Sequence, residues 1–228
     1  MVKKRVNKIT DNKIPSKDDL ITDTIKDQLE EKMQASSMDI NVFCRDGYVH
    51  MSGMVDVLSE KKYAESIAKG IEGVQKIENK ITVAMDSNIT DKHMEKEVIT
   101  HLQGVSKLSG VGVKIEDGVA NLLGTTNTLK DAHTAMGIAS EVRGIKDVVN
   151  NIHITTKKEF DDATINSHVT QALSTTPLSY MDIAHSVNNG KLTLKGYVNN
   201  RNEMELAKEI AMDVEGVTKV INKLKLRK

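Results

Sequence analysis

The sequence predicts an α+β protein built from three tandem α-β-β-α-β domains, each a three-stranded mixed sheet with two helices packed on one face. Two observations predict it. Three Asx-Gly dipeptides, Asp46-Gly47, Asp117-Gly118 and Asn189-Gly190, recur at spacings of 71 and 72 residues. Around each of them the apolar residues change from helical to alternating spacing and back, which marks helix, strands and helix in turn.

The repeat extends well past the dipeptides. Six residues after each turn glycine come Gly53, Gly124 and Gly196, and later Gly73, Gly144 and Gly216, then Asn79, Asn150 and Asn222. Between them lie Ala64, Ala135 and Ala207, then Ile67, Ile138 and Ile210, then Ala68, Ala139 and Ala211. A gap-free match of this length is a true repeat. Its period exceeds that of solenoid units, so each copy is close to an independent small domain. The expected boundaries are a basic tail over 1–15, then domains over 16–86, 87–156 and 157–228.

Each element has its own signal. The first helix of each copy carries apolar residues at i, i+4 and i+8: Ile21, Ile25, Leu29; Met94, Val98, Leu102; Ile165, Val169, Leu173. Ser16 and Asp19 form a capping box for the first of these. Asx-Gly between alternating strands suits a two-residue type I′ turn, which needs positive φ at both central positions. That register pairs Arg45 with Tyr48, Cys44 with Val49 and Val42 with Met51. It buries Ile40, Val42, Cys44, Val49 and Met51 in the first copy; Val111, Val113, Ile115, Ala120 and Leu122 in the second; Ile183, His185, Val187, Leu192 and Leu194 in the third. Gly53, Gly124 and Gly196 share this face, where a missing side chain admits a helix. A second helix starts at Thr128 and Asn200 by capping-box spacing, and Gly73, Gly144 and Gly216 stand where a left-handed C′ residue ends it. A third strand alternates Ile77, Ile81 and Val83 with Lys76, Glu78 and Lys80.

The element order, the Asx-Gly hairpin, the strand-ending glycine, the Ala-x-x-Ile-Ala helix and the Gly-then-Asn ending together resemble the BON (bacterial OsmY and nodulation) domain family. All three copies match. The resemblance implies a bacterial, non-enzymatic protein, in a family often associated with the periplasm or envelope and with osmotic stress. It also implies the phospholipid binding proposed for the domain.

The residues themselves offer no catalytic constellation. His50, His93, His101, His133, His153, His168 and His185 show no metal-ligand spacing, so neither metal nor cofactor is expected. His185 occupies the column of Val42 and Val113 and reads as a hydrogen-bonded core histidine, against the alternative of a pH-sensitive contact. Cys44 occupies the column of Ile115 and Val187 and reads as a small buried hydrophobe. No motif cradles a phosphate or a small-molecule substrate. Lys+Arg and Asp+Glu both total 32, a net charge of zero, which argues against a KH-like nucleic-acid binder.

Three features are candidates for binding an anionic phospholipid surface or an envelope protein. The loop before the third hairpin offers Leu178, Tyr180 and Met181 to a bilayer interface; the competing reading has Leu178 and Met181 capping the core. The first copy's open sheet face offers Phe43, Arg45 and Tyr48, with His50 and Lys80; here the competing reading is packing between copies, and it is the favoured one. The third feature is basic charge at the termini, in residues 1–14 and at Lys223, Lys225, Arg227 and Lys228. A protein-interaction scaffold or stress chaperone is the alternative function. No apolar run reaches the roughly 18 residues of a transmembrane helix. The opening residues lack a signal peptide's apolar stretch, so the chain as it stands is expected in the cytoplasm, or in the periplasm if a native signal precedes it.

Overall fold

A computed structural model describes residues 15–33, 39–84, 89–155, 160–176, 178 and 182–227. The first repeat runs α1 (Lys17–Met33), β1 (Ile40–Arg45), β2 (Tyr48–Val55), α2 (Leu58–Gly70) and β3 (Lys76–Val83). The second is α3 (Asp91–Gln103), β4 (Val111–Glu116), β5 (Val119–Thr126), α4 (Leu129–Ser140) and β6 (Asp147–Ile154). The third is α5 (Asp162–Ser174), β7 (Ile183–Asn188), β8 (Lys191–Val198), α6 (Arg201–Asp213) and β9 (Lys219–Leu226). Each repeat closes its own three-stranded sheet, with the middle strand antiparallel to the one before it and parallel to the one after it. The chain forms two compact units, the first holding repeat 1 and the second repeats 2 and 3.

The hairpin register is the expected one. Arg45 pairs with Tyr48, Cys44 with Val49 and Val42 with Met51. Asp46, Asp117 and Asn189 have φ of 53°, 52° and 48°, and the glycine after each is also positive. Alternation then sorts side chains to two faces. In repeat 1, Ile40, Val42, Cys44, Val49 and Met51 turn inward and meet Ile21, Ile25 and Leu29 of α1 and Ala64, Ile67 and Ala68 of α2. The alanines keep α2 close to the sheet, since a larger side chain there would push the layers apart. Repeat 3 builds the same core from Ile165, Val169, Leu173, Ile183, Leu192, Leu194, Ala207 and Ala211. Val111, His185 and Val187 depart from expectation by being only half-buried.

The helix starts follow local chemistry. Asp19 donates its N–H to Ser16 Oγ at 3.1 Å while Ser16 donates its own N–H to Asp19 Oδ2 at 2.9 Å. Thr128 and Asn200 cap α4 and α6 through Asp131 N–H and Glu203 N–H. Each such cap contributes about 1 kcal/mol.

Two glycine columns work differently from expectation. A Cβ on Gly53 would lie 1.9 Å from the Asp39 carbonyl oxygen, so the space is kept for the backbone entering β1 rather than for a helix. Its φ of 138° adds a conformational reason for glycine. Gly73 is not the residue that ends α2. It stands in the turn after the helix, closed by Val74 N–H donating to Ile71 O, with φ of 92°.

The asparagine column fastens the third strand. Asn79 Oδ1 accepts Ile81 N–H at 3.1 Å while Nδ2 donates to the Lys61 carbonyl of α2. Asn222 does the same with Leu224 and Met204, and Asn150 accepts Ile152 N–H.

Repeats 2 and 3 meet through α4 and α6. Lys130 near the start of α4 pairs with Asp213 at the end of α6 at 3.5 Å. In the column where repeat 1 has the exposed Lys69, these repeats have the buried Ser140 and Met212. The expected burial of sheet faces between copies is therefore not what joins this pair. Leu123, Val149 and Tyr197, all on open faces, remain 45%, 38% and 54% exposed.

Candidate functional site

A shared structural node must be separated from any site. At each helix 1 start, one aspartate grips the hairpin turn with both carboxylate oxygens. Asp18 accepts Asp46 N–H at 2.7 Å and Gly47 N–H at 3.0 Å; Asp91 and Asp162 repeat this with Asp117 and Gly118, and with Asn189 and Gly190. The turn's glycine carbonyl in turn accepts the N–H of Gln75, Lys146 or Thr218 ahead of the third strand. A Cβ on Gly47 would lie 2.8 Å from Gly73 O, so the two glycine columns meet here. The N–H groups of Gly47 and Asp46 hold the Asp18 carboxyl below its ordinary value. Both carboxylate oxygens are used internally, and the node is structural.

Cys44 and His185 are likewise accounted for within their repeats. Burial, then the hydrogen bond from Sγ to Asp18 Oδ1, pushes the Cys44 thiol up, which disfavours the nucleophilic thiolate. His185 is half-buried, with Nε2 3.3 Å from Asn166 O and 3.1 Å from Thr170 Oγ1. Among the described residues no three His, Cys, Asp or Glu side chains cluster in a way that holds a metal ion. No described helix is long and apolar enough to cross a membrane.

The loop candidates divide. Leu178 is 5% exposed and belongs to the core of repeat 3, which rules it out as a surface contact: its apolar side chain is already used against α5 and the sheet. Tyr180 and Met181 lie outside the described residues, as do residues 1–14 and Lys228 of the basic termini.

The open sheet face of repeat 1 does bring its candidates together. Phe43 and Arg45 on β1 and Tyr48 and His50 on β2 point away from the helices, in register with Lys76, Glu78 and Lys80 on β3. Phe43 is 60% and Tyr48 45% exposed. Glu78 bonds Lys80 Nζ at 2.8 Å and His50 Nδ1 at 2.7 Å, and these partners, Lys80 foremost, hold its carboxyl below the ordinary value. Beside them a groove of about 330 Å³ is lined by Tyr48, Val49, His50, Lys76, Ile77 and Glu78. The patch sets two aromatic side chains among Arg45, Lys76 and Lys80, with Asp46 and Glu78 beside two of these cations.

The other copies present different faces. Repeat 2 shows Val119, Leu123 and Val149 with a Lys114–Glu116 ion pair. Repeat 3 shows a field of lysines.

This architecture defines a class: small α+β repeats whose shared residues hold the fold and whose open faces vary. The chain belongs to the BON domain family, whose sequence model matches residues 17–85, 90–156 and 161–228. It is similar to the "Osmotically-inducible protein Y" of Escherichia coli, at 30% identity over 143 residues, 59% of this chain and 71% of that protein. It is also similar to the "Outer membrane lipoprotein DolP" of Haemophilus influenzae, at 30% identity over 48% of this chain and 60% of that protein. The chain thus spans less than two thirds of the length of that lipoprotein. Among solved structures it is similar to CdsD of the Chlamydia trachomatis type III secretion system, at 16% identity with a TM-score of 0.27, covering 92% of each chain; that likeness carries no argument about function.

Proposed function

We propose that this is a non-enzymatic binding protein of the bacterial envelope stress response, and that it associates with anionic phospholipid surfaces. One observation carries the reading: Phe43 and Tyr48 lie exposed on one sheet face among Arg45, Lys76 and Lys80. The amphipathic ring of Tyr48 suits the headgroup level of a bilayer, and Phe43 adds apolar surface beside it. Each nearby cation adds up to about 1 kcal/mol at an anionic membrane, reduced by salt. The names of the two relatives, one osmotically inducible and one an outer membrane lipoprotein, support an envelope and stress setting. Flotation with phosphatidylglycerol vesicles tests it. The parent chain should float at low salt and the Phe43→Ala/Tyr48→Ala variant markedly less; absence of flotation by the parent refutes the reading.

A second reading, a protein-interaction scaffold, is favoured by the apolar face of repeat 2, where Leu123 and Val149 are exposed. A contiguous apolar patch, unlike scattered apolar residues, marks a contact surface. Leu123→Lys should then abolish crosslinks to a partner in cells without altering vesicle binding.

A further inference from the structure

The open face of repeat 3 carries Lys191 and Lys195 on β8 and Lys219, Lys223 and Lys225 on β9. Register sets Lys191 directly opposite Lys219 and Lys195 directly opposite Lys223, with Tyr197 opposite Lys225. The β7 residues of the same face are Ala184, Ser186 and Asn188, and the one carboxylate beside the field, Asp182 just before β7, is taken by Arg227 just after β9. All five ammonium groups are on exposed residues, and none makes an ion pair among the described residues. On the corresponding faces of the other repeats some cations are paired within the face, Lys80 with Glu78 in repeat 1 and Lys114 with Glu116 in repeat 2.

Like charges directly opposite in a sheet are destabilising. Two such pairs, each across strands about 4.8 Å apart and separated by Thr193 and Ile221, weaken the repeat unless an external anion shares the face. We infer that this face is where the chain meets an anionic bilayer, lying flat on the headgroup plane with the helices turned away. The inference rests on the lipid-binding reading above and replaces the loop around Leu178 as the contact in repeat 3.

Charge complementarity selects the occupant. Lysines are mobile point charges without the planar fork that reads individual phosphates, which suits a diffuse sheet of headgroups. A single-stranded nucleic acid needs a run of aromatic platforms. Here the middle of the face holds Thr193 and Ile221, and Tyr197 is the aromatic side chain on it. The apolar content is too small for deep insertion, so the contact is electrostatic and sensitive to salt.

The test uses the full chain and vesicles of phosphatidylcholine with or without phosphatidylglycerol, across a salt series. Neutralising the face with Lys191→Gln, Lys195→Gln, Lys219→Gln, Lys223→Gln and Lys225→Gln should cut partitioning at low salt at least about tenfold and flatten its salt dependence. The same variant should melt no lower than the parent at low salt, because the opposed charges are gone. Phe43→Ala/Tyr48→Ala, run alongside, should keep the parent's salt slope. Parent-like binding and slope in the glutamine variant overturn the inference while the lipid reading stands. Binding lost only in the Phe43/Tyr48 variant also overturns the inference and leaves the lipid reading in place. No binding by the parent overturns both. Retention of single-stranded RNA, but not of vesicles, through these lysines overturns the lipid assignment.

Discussion

Asp18 Oδ1 accepts the backbone N–H of Gly47 at 3.0 Å, joining the first turn of α1 to the hairpin tip across 29 positions of sequence. Its other oxygen takes Asp46 N–H, so one carboxylate satisfies both amides of a turn whose backbone is held at positive φ. Because this lowers the Asp18 pKa, the folded state binds that proton less readily than the unfolded chain does. The stabilisation is complete above the ordinary value of 3.8 and is lost as pH falls from there through the folded value. Asp18→Asn should flatten this acid dependence, and exchange at the Gly47 amide should become several-fold faster by NMR.

Cys44 shares that carboxylate through Sγ. Its thiol, buried and raised, should resist dithiobis-nitrobenzoate in the native protein and react only through opening of repeat 1. Asp18→Ala should speed labelling by loosening the hairpin. Rapid stoichiometric labelling of the parent at neutral pH would contradict this placement.

Gly124 and Gly112 give a paired test within one sheet. A Cβ on Gly124 would lie 2.0 Å from Gly110 O on a backbone at φ 111°, whereas one on Gly112 meets nothing within 4 Å. Gly124→Ala should cost at least about 2 kcal/mol, and Gly112→Ala should stay within about 0.5 kcal/mol of the parent. Urea denaturation with matched m-values measures both.

At the α4–α6 contact, partial burial and the nearby Lys208 ammonium hold the His133 imidazole below its ordinary value of 6.5. The neutral form is favoured in the folded state, so stability is complete above 6.5 and declines as pH falls through the folded value. Protection factors over α4 and α6, corrected for the intrinsic exchange rate at each pH, should fall between about pH 7 and pH 5, and His133→Gln should remove most of that change.

Much of this was legible in the sequence because turn chemistry and alternation are local. Asx-Gly set the register, and the register put Cys44 and Met51 in the core. The aspartate node was not legible by column matching. Asp18, Asp91 and Asp162 precede their turn glycines by 29, 27 and 28 residues, since the intervening loop differs in length, so a gap-free alignment never stacks them. An aspartate sought in the first turn of each helix would have exposed it. Nor could periodicity show that α4 and α6, rather than sheet faces, join repeats 2 and 3. Both surfaces carry small or apolar residues, and only the assembled fold decides between them. The candidate site was legible in part: Phe43, Arg45 and Tyr48 are exposed on a common face, while Leu178, apolar and in a loop, went to the core.

The asparagine of each third strand has a consequence for how such a chain reaches its folded state. Three near-identical sheets made from one polypeptide invite strands to be traded between neighbours. The last strand of each sheet is an outer strand, open to any passing partner. Yet the amides of Ile81, Ile152 and Leu224 are already held by the asparagine two residues before them. An intruding strand must first break a bond the chain makes with itself there, which makes each copy's last strand a less ready partner for its siblings at that position.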